Sequence, residues 1–175
     1  MIEKFSSLPE FLINRYYKWK SKHYDRNSNK FSELALGQKP KTMVISCCDS
    51  RVLPTSFFGV EEGEFFIHKN IANLVPIYSP DENDNGTFAA IEYAIKELKV
   101  KHLIVLGHSD CGGIKRAHLI HSKETKLNFI FIDKWLNNIL PAFKKVEKNI
   151  TNDDQINKLS EESIKSSIKN LFMFP

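Results

Sequence analysis

Three short apolar runs constrain the fold more than any other feature of this sequence: Thr42–Ser46 (TMVIS), Phe65–His68 (FFIH) and His102–Leu106 (HLIVL). Their β-branched and aromatic side chains suit buried strands. Between the second and third runs lies Gly86–Leu98 (GTFAAIEYAIKEL). It reads as a helix that offers Phe88, Ile91, Tyr93, Ala94 and Leu98 for packing. Strand, helix, strand implies a right-handed crossover and a parallel sheet. The expected class is therefore α/β, a central, mainly parallel sheet flanked by helices. Upstream, residues 8–24 place Leu8, Phe11, Leu12, Tyr16 and Trp19 at helical spacing with charges between, which predicts an amphipathic N-terminal helical arm. Residues 69–85 hold two prolines with several asparagines and acids, and read as a long loop. Beyond residue 123 the pattern predicts packing helices over 127–149, broken at Pro141, and over 155–171.

A length of 175 residues fits one domain. Within it the arm covers about 1–36, the α/β core about 37–122 and the C-terminal helices about 123–175. Apolar residues at 42% and charged residues at 26% exclude disordered, collagen-like and coiled-coil classes. The longest apolar runs, Leu103–Leu106 and Phe129–Ile132, fall far short of the roughly 20 residues of a membrane span. Met1–Phe5 lacks the pattern of a signal peptide, so a cytoplasmic location is expected. The net charge is +4, and lysines supply 21 of the 25 basic residues, interspersed with acids as in Lys144–Lys148. That describes a solvated surface, with neither nucleic acid nor membrane as a partner. Three cysteines, an odd number, argue against a disulfide framework.

In open parallel sheets ligands bind beyond the carboxyl ends of the strands. The unusual residues of this chain cluster there. Cys47-Cys48-Asp49-Ser50-Arg51 follows the first strand, and His108-Ser109-Asp110-Cys111 follows the third. His108 and Cys111, with two residues between them, can aim at one point, and a cysteine from the neighbouring strand end would join them. Two thiolates and an imidazole suit Zn2+, and three protein ligands leave a fourth position open, as at a catalytic zinc. Taken alone, H-x-x-C is better read as buried thiols and a satisfied histidine; the location at two strand ends of one sheet reverses that balance and favours the metal. Asp49 could bind that metal or accept a hydrogen bond from its water. Arg51 would hold the carboxylate ionised and fix its direction, although an ordinary loop ion pair has the same sequence. Gly112 and Gly113 would let backbone approach where ligands converge, or simply make a turn.

C-C-D-S-R-V together with G-H-S-D-C-G-G resembles the β-class carbonic anhydrases, whose signatures are C-x-D-x-R and H-x-x-C. The resemblance extends through Glu33–Arg51, Gly63–Pro76 and Gly86–Lys115, particularly to the plant-type branch. It is strong over about residues 10–120 and weaker in the helical tail. Its register implies that Cys47, His108 and Cys111 hold one Zn2+ per chain. Cys48 then takes the variable position, expected as a small buried thiol or one behind the ligands. The resemblance implies that Asp49 partners the zinc water, or closes the site as a fourth ligand, and that Arg51 pairs with Asp49. It places Gln38, Phe66 and Tyr93 around a small pocket often built across a dimer interface. Gln38 would donate to bicarbonate, and Phe66 and Ile71 would wall the carbon dioxide site near Gly112. From the residues themselves, Phe66, Ile71 and Tyr93 read as core packing.

The implied activity is reversible hydration of carbon dioxide to bicarbonate by a zinc-bound hydroxide. Two thiolates leave the metal a weaker Lewis acid than three imidazoles would, so activity is expected to rise above neutral pH. A catalytically weak zinc-binding scaffold, or a carbon disulfide or carbonyl sulfide hydrolase, would share the ligand set. The arm implies a homodimer or a multiple of dimers. Two departures from the family stand out. Lys69 replaces the usual arginine, and Val44 the usual tryptophan, so allosteric bicarbonate inhibition is not expected. The chain also stops at Pro175, where family members continue with another strand, and loss of that strand would expose a sheet edge.

Overall fold

The computed structural model describes residues 8–81 and 85–175. It resolves into two compact units, one ending at Gln38 and one spanning Lys39–Pro175. In the first, α1 (Glu10–Trp19) runs through a wide turn at Lys20–Tyr24 and a short turn at Asp25–Asn27 into α2 (Ser28–Leu34). Aromatic rings hold this hairpin together. Tyr24 lies 4.7 Å from Phe31 and Trp19 lies 5.8 Å from Tyr24. Leu8, Phe11, Leu12, Tyr16 and Tyr17 stay exposed.

The second unit carries three parallel strands in the order β2-β1-β3: β1 (Thr42–Cys47), β2 (Phe65–Asn70) and β3 (His102–Leu106). Thr42 pairs with Phe65 on one side and His102 on the other, and Cys47 ends opposite Asn70. The central strand is buried from Met43 through Cys47, which is why its sequence runs apolar without alternation. Short α3 (Pro54–Phe58) lies between β1 and β2. The predicted helix after β2 is present as α4 (Gly86–Glu92), continued by a wider turn at Tyr93–Glu97. Its Ile91 and Ala94 pack with Met43, Ile45 and Val75, whereas Tyr93, expected to pack, is exposed. Leu136, Ile139, Ala142 and Leu159 cluster with Cys47 and Cys111, so the strand-end cysteines sit on a second core. That core draws on α5 (Gly112–His121), α6 (Ile132–Leu136), α7 (Leu140–Phe143) and α8 (Asn152–Leu171).

Several boundaries differ from the sequence expectation: the helix predicted to residue 149 ends at Phe143, and the one predicted from 155 begins at Asn152. The loop predicted from residue 69 begins later, because β2 continues to Asn70 and a short 3-10 turn follows at Ile71–Asn73. Asn70 shapes that turn: its side chain accepts from the Leu74 amide and donates to the Leu74 carbonyl, both at 2.8 Å. The rest of the predicted loop includes residues 82–84, outside the described residues. Residues 127–131 are not helical, because the Asp133 carboxylate captures the amides of Asn128 and Phe129 at 2.9 and 3.0 Å and holds them as a loop. Pro141 is the second residue of α7 instead of breaking a longer helix, in the first turn where no amide donor is needed. Among the described residues no helix is long and apolar enough to cross a membrane.

Candidate metal centre

Cys47 is the last residue of β1, and His108 and Cys111 lie on the turn joining β3 to α5. Parallel pairing of β1 with β3 brings the two strand ends together. One donor atom from each of Cys47, His108 and Cys111 lies within 4.8 Å of the others. The two sulfurs are 3.8 Å apart. Two thiolates about 2.3 Å from one tetrahedral zinc would stand about that far apart.

The histidine supplies a second test of fit. His108 Nδ1 donates to the Ser109 carbonyl at 2.8 Å. That bond places the ring proton on Nδ1 and leaves a lone pair on Nε2. Nε2 is buried with no hydrogen-bond partner. A buried nitrogen left unpaired carries a desolvation penalty that a metal ion would relieve. Burial is also the main influence on Cys111, pushing its thiol up to about 11, with Cys47 adding to it while the amides of Ile114 and Gly113 act the other way. A Zn2+ between these donors would replace the thiol protons.

Asp49 stands beside the triad, with Oδ2 4.0 Å from His108 Nε2. Its Oδ1 accepts from Arg51 Nε and from the Arg51 amide, each at 2.9 Å, and its Oδ2 accepts from Arg51 Nη2 at 2.8 Å. The Arg51 guanidinium holds the Asp49 carboxyl well below the usual carboxylate range. Asp110 is a residue that the sequence did not single out. Arg51 Nη1 donates to its carboxylate at 3.2 Å and Nη2 to its main-chain oxygen at 3.1 Å. A contact between positions 51 and 110 leaves no trace in local pattern.

The remaining candidate residues are spread more widely. Ile71 lines an open cleft with Cys48, His68, Asn70, Thr87 and Trp135. Cys48, expected to be buried or behind the ligands, is exposed and lines that cleft because it lies just beyond the end of β1. Phe66 and Tyr93 form their own ring pair at 5.8 Å, with Phe66 packed against the core around Met43 and Ile45. Gln38 is exposed at the end of the first unit. Gly112 opens α5, and a side chain there would meet nothing within 4 Å. The close approach falls instead at Gly113, where a Cβ would sit 2.9 Å from Ile71 Cγ2 and 3.0 Å from Ala72 Cβ. Lys69, at the position of the usual arginine, donates to the Val52 carbonyl at 2.8 Å and pins the loop after Arg51.

Comparison with known proteins adds an independent line. The carbonic anhydrase family model matches residues 42–175. Beta carbonic anhydrase 3 of Arabidopsis thaliana is 35% identical over 169 residues, covering 95% of this chain and 65% of that protein. The chain thus spans under two thirds of the length of this relative. Among solved structures, the beta-carbonic anhydrase CcaA aligns with a TM-score of 0.86 at 31% identity, over 95% of this chain and 74% of that one. A beta-carbonic anhydrase of Sordaria macrospora, described as tetrameric, aligns with a TM-score of 0.80 at 30% identity, over 95% of this chain and 81% of that one. Similarity on this scale reaches well past the donor residues to the sheet, the crossover helix and the C-terminal helices, and on that basis the chain belongs to the β-carbonic anhydrase family.

Proposed function

We propose that this chain catalyses the reversible hydration of carbon dioxide to bicarbonate, with one Zn2+ held by Cys47, His108 and Cys111. The observation that carries the reading is the convergence of these donors beside an aspartate already clamped by arginine. A metal held only for structure has no need of that dyad. Bound there, Zn2+ would supply the Lewis acidity that makes water a usable nucleophile near neutral pH.

The protein's own groups do the rest. The Asp49 carboxylate, kept ionised and turned by Arg51, accepts a hydrogen bond from the reacting water and fixes its direction. His108 keeps its ring orientation through the Nδ1 bond to Ser109. Ile71 offers apolar surface to carbon dioxide, and Gly112 leaves open space at the start of α5. The substrate-pocket roles of Gln38, Phe66 and Tyr93 rest on the resemblance. Assembly into dimers or multiples of dimers belongs to the same proposal, supported by the tetrameric Sordaria macrospora relative and by the exposed apolar residues of α1.

Stopped-flow hydration at mildly alkaline pH, with zinc content determined on the same sample, tests the reading. The expected result is one zinc per chain and turnover that falls by about 100-fold or more in Asp49→Ala, the range for removing a positioned acid–base group. One zinc per chain without hydration would overturn the reading in favour of a zinc-binding scaffold.

A further inference from the structure

We infer that Asp110 is a positioning residue for this reaction, holding Arg51 in the orientation that aims Asp49. The inference rests on the hydration reading and extends it to a residue outside the family signature, in the variable part of H-x-x-C.

The argument begins with exposure. The Arg51 side chain is 59% exposed, so packing does not hold it. An exposed ion pair by itself contributes little and leaves a long side chain free to swing. Arg51 nevertheless makes five hydrogen bonds, counting its amide, and they fall on two sides. Asp49 takes the Nε edge and Nη2, while Asp110 takes Nη1 through its carboxylate and Nη2 through its main-chain oxygen. A planar guanidinium gripped at both edges has a defined plane, whereas one gripped at a single edge can rotate with its partner.

Asp110 is itself fixed. Its backbone φ is +57°, a left-handed conformation that aspartate tolerates better than most residues. Its other carboxylate oxygen pairs with Lys115 in the first turns of α5. The residue also lies between His108 and Cys111, so one short turn presents two metal donors and the outer grip on Arg51. Without that grip, Asp49 would depend on an unsupported, solvent-exposed arginine for its aim.

The fold at position 110 requires only a residue that accepts positive φ. The grip requires a side-chain acceptor as well, and substitution separates the two. Asp110→Gly keeps the backbone conformation and removes the acceptor. Asp110→Asn keeps both. Asp110→Ser, whose hydroxyl stops short of Arg51, is the second truncation should the glycine variant fail to fold or to load zinc.

Each variant is made in the full, zinc-loaded chain. Zinc content, hydration kinetics and hydrogen exchange of the Arg51 Nε–H are measured, that signal being assigned by its loss in Arg51→Lys. Truncation is expected to lower kcat and kcat/KM together, by about tenfold, with KM and zinc content unchanged. Arg51 Nε–H exchange should speed up several-fold in the same variants. Asp110→Asn should recover both properties to within about twofold of the parent. A merely structural role would not move the Arg51 signal while sparing zinc. Wild-type kinetics and exchange in both truncations would overturn the proposal, as would lost turnover with Arg51 still protected. An asparagine variant as impaired as the truncations would overturn it too. A parent protein that binds zinc and hydrates nothing would overturn the hydration reading instead, and the exchange measurement would still decide whether Asp110 holds Arg51.

Discussion

At the scale of single residues, two neighbouring glycines that look equivalent in the sequence have different work. Gly112 and Gly113 both follow a metal donor and both enter α5. Only Gly113 faces packed side chains, Ile71 and Ala72 from the turn after β2. A methyl group there would press Ala72, which is itself fixed at φ +63°. Gly113→Ala should therefore destabilise the protein by about 1–3 kcal/mol, the usual range for overpacking a close contact. Gly112→Ala should shift stability by less than about 0.5 kcal/mol, as surface changes do. Urea unfolding of the two variants checks this, and equal midpoints would show that the turn yields freely. The metal donors and the Asp49–Arg51 dyad were legible in the sequence because each motif is contiguous and follows a strand. Asp110, and which of the two glycines bears the close approach, were not, because both depend on contacts with residues 59 and 42 positions away.

At the scale of elements, what the sequence showed well was periodicity, and what it missed was decided by tertiary capture. The three strands and α4 stand where the apolar pattern put them, because burial against a core imposes that pattern. The false helix over 127–131 arose because Leu127, Phe129 and Ile130 have helix-compatible character while Asp133, paired with Arg116 at 2.8 Å, takes the local amides. Where α5 meets α6, His121 Nε2 donates to the Leu136 carbonyl at 3.4 Å and its ring lies 5.4 Å from Phe143. Burial lowers the His121 pKa, with the Leu136 carbonyl partly opposing, and burial lowers that of His68 as well. The native state thus binds these protons less tightly than the unfolded chain does. Stability from both groups is full above the ordinary histidine pKa of about 6.5 and declines as pH falls through their lower native values. Urea midpoints should fall between pH 7 and pH 5, before the carboxylates titrate. His121→Gln, which keeps a donor for the Leu136 carbonyl, should flatten part of that decline. An unchanged slope in His121→Gln would assign the loss elsewhere.

At the scale of the whole molecule, the distribution of apolar surface bears on assembly. The second unit builds two buried apolar clusters, one of which includes Cys47 and Cys111, while side chains such as Ile130 and Phe131 stay exposed. In the first unit no residue of α1 is buried, and Leu8, Phe11, Tyr16 and Tyr17 are each more than half exposed. Helix propensity alone holds a ten-residue segment weakly in water, since nucleation is unfavourable and tertiary packing supplies most helical stability. A contiguous exposed apolar face of this kind marks an interaction surface. In a family with a tetrameric member, a second copy of the chain is the partner the hydration proposal already includes. Closed symmetry would let the same face serve both subunits. Sedimentation equilibrium of the zinc-loaded chain at micromolar concentration should give a mass of at least two chains. Replacing Phe11 and Tyr17 together with serine should shift that distribution toward the monomer while leaving zinc content at one per chain, because the donors Cys47, His108 and Cys111 all lie in the second unit. A parent protein that sediments as a monomer of 20.2 kDa with full hydration activity would remove self-association from the proposal and leave the face on α1 for another partner.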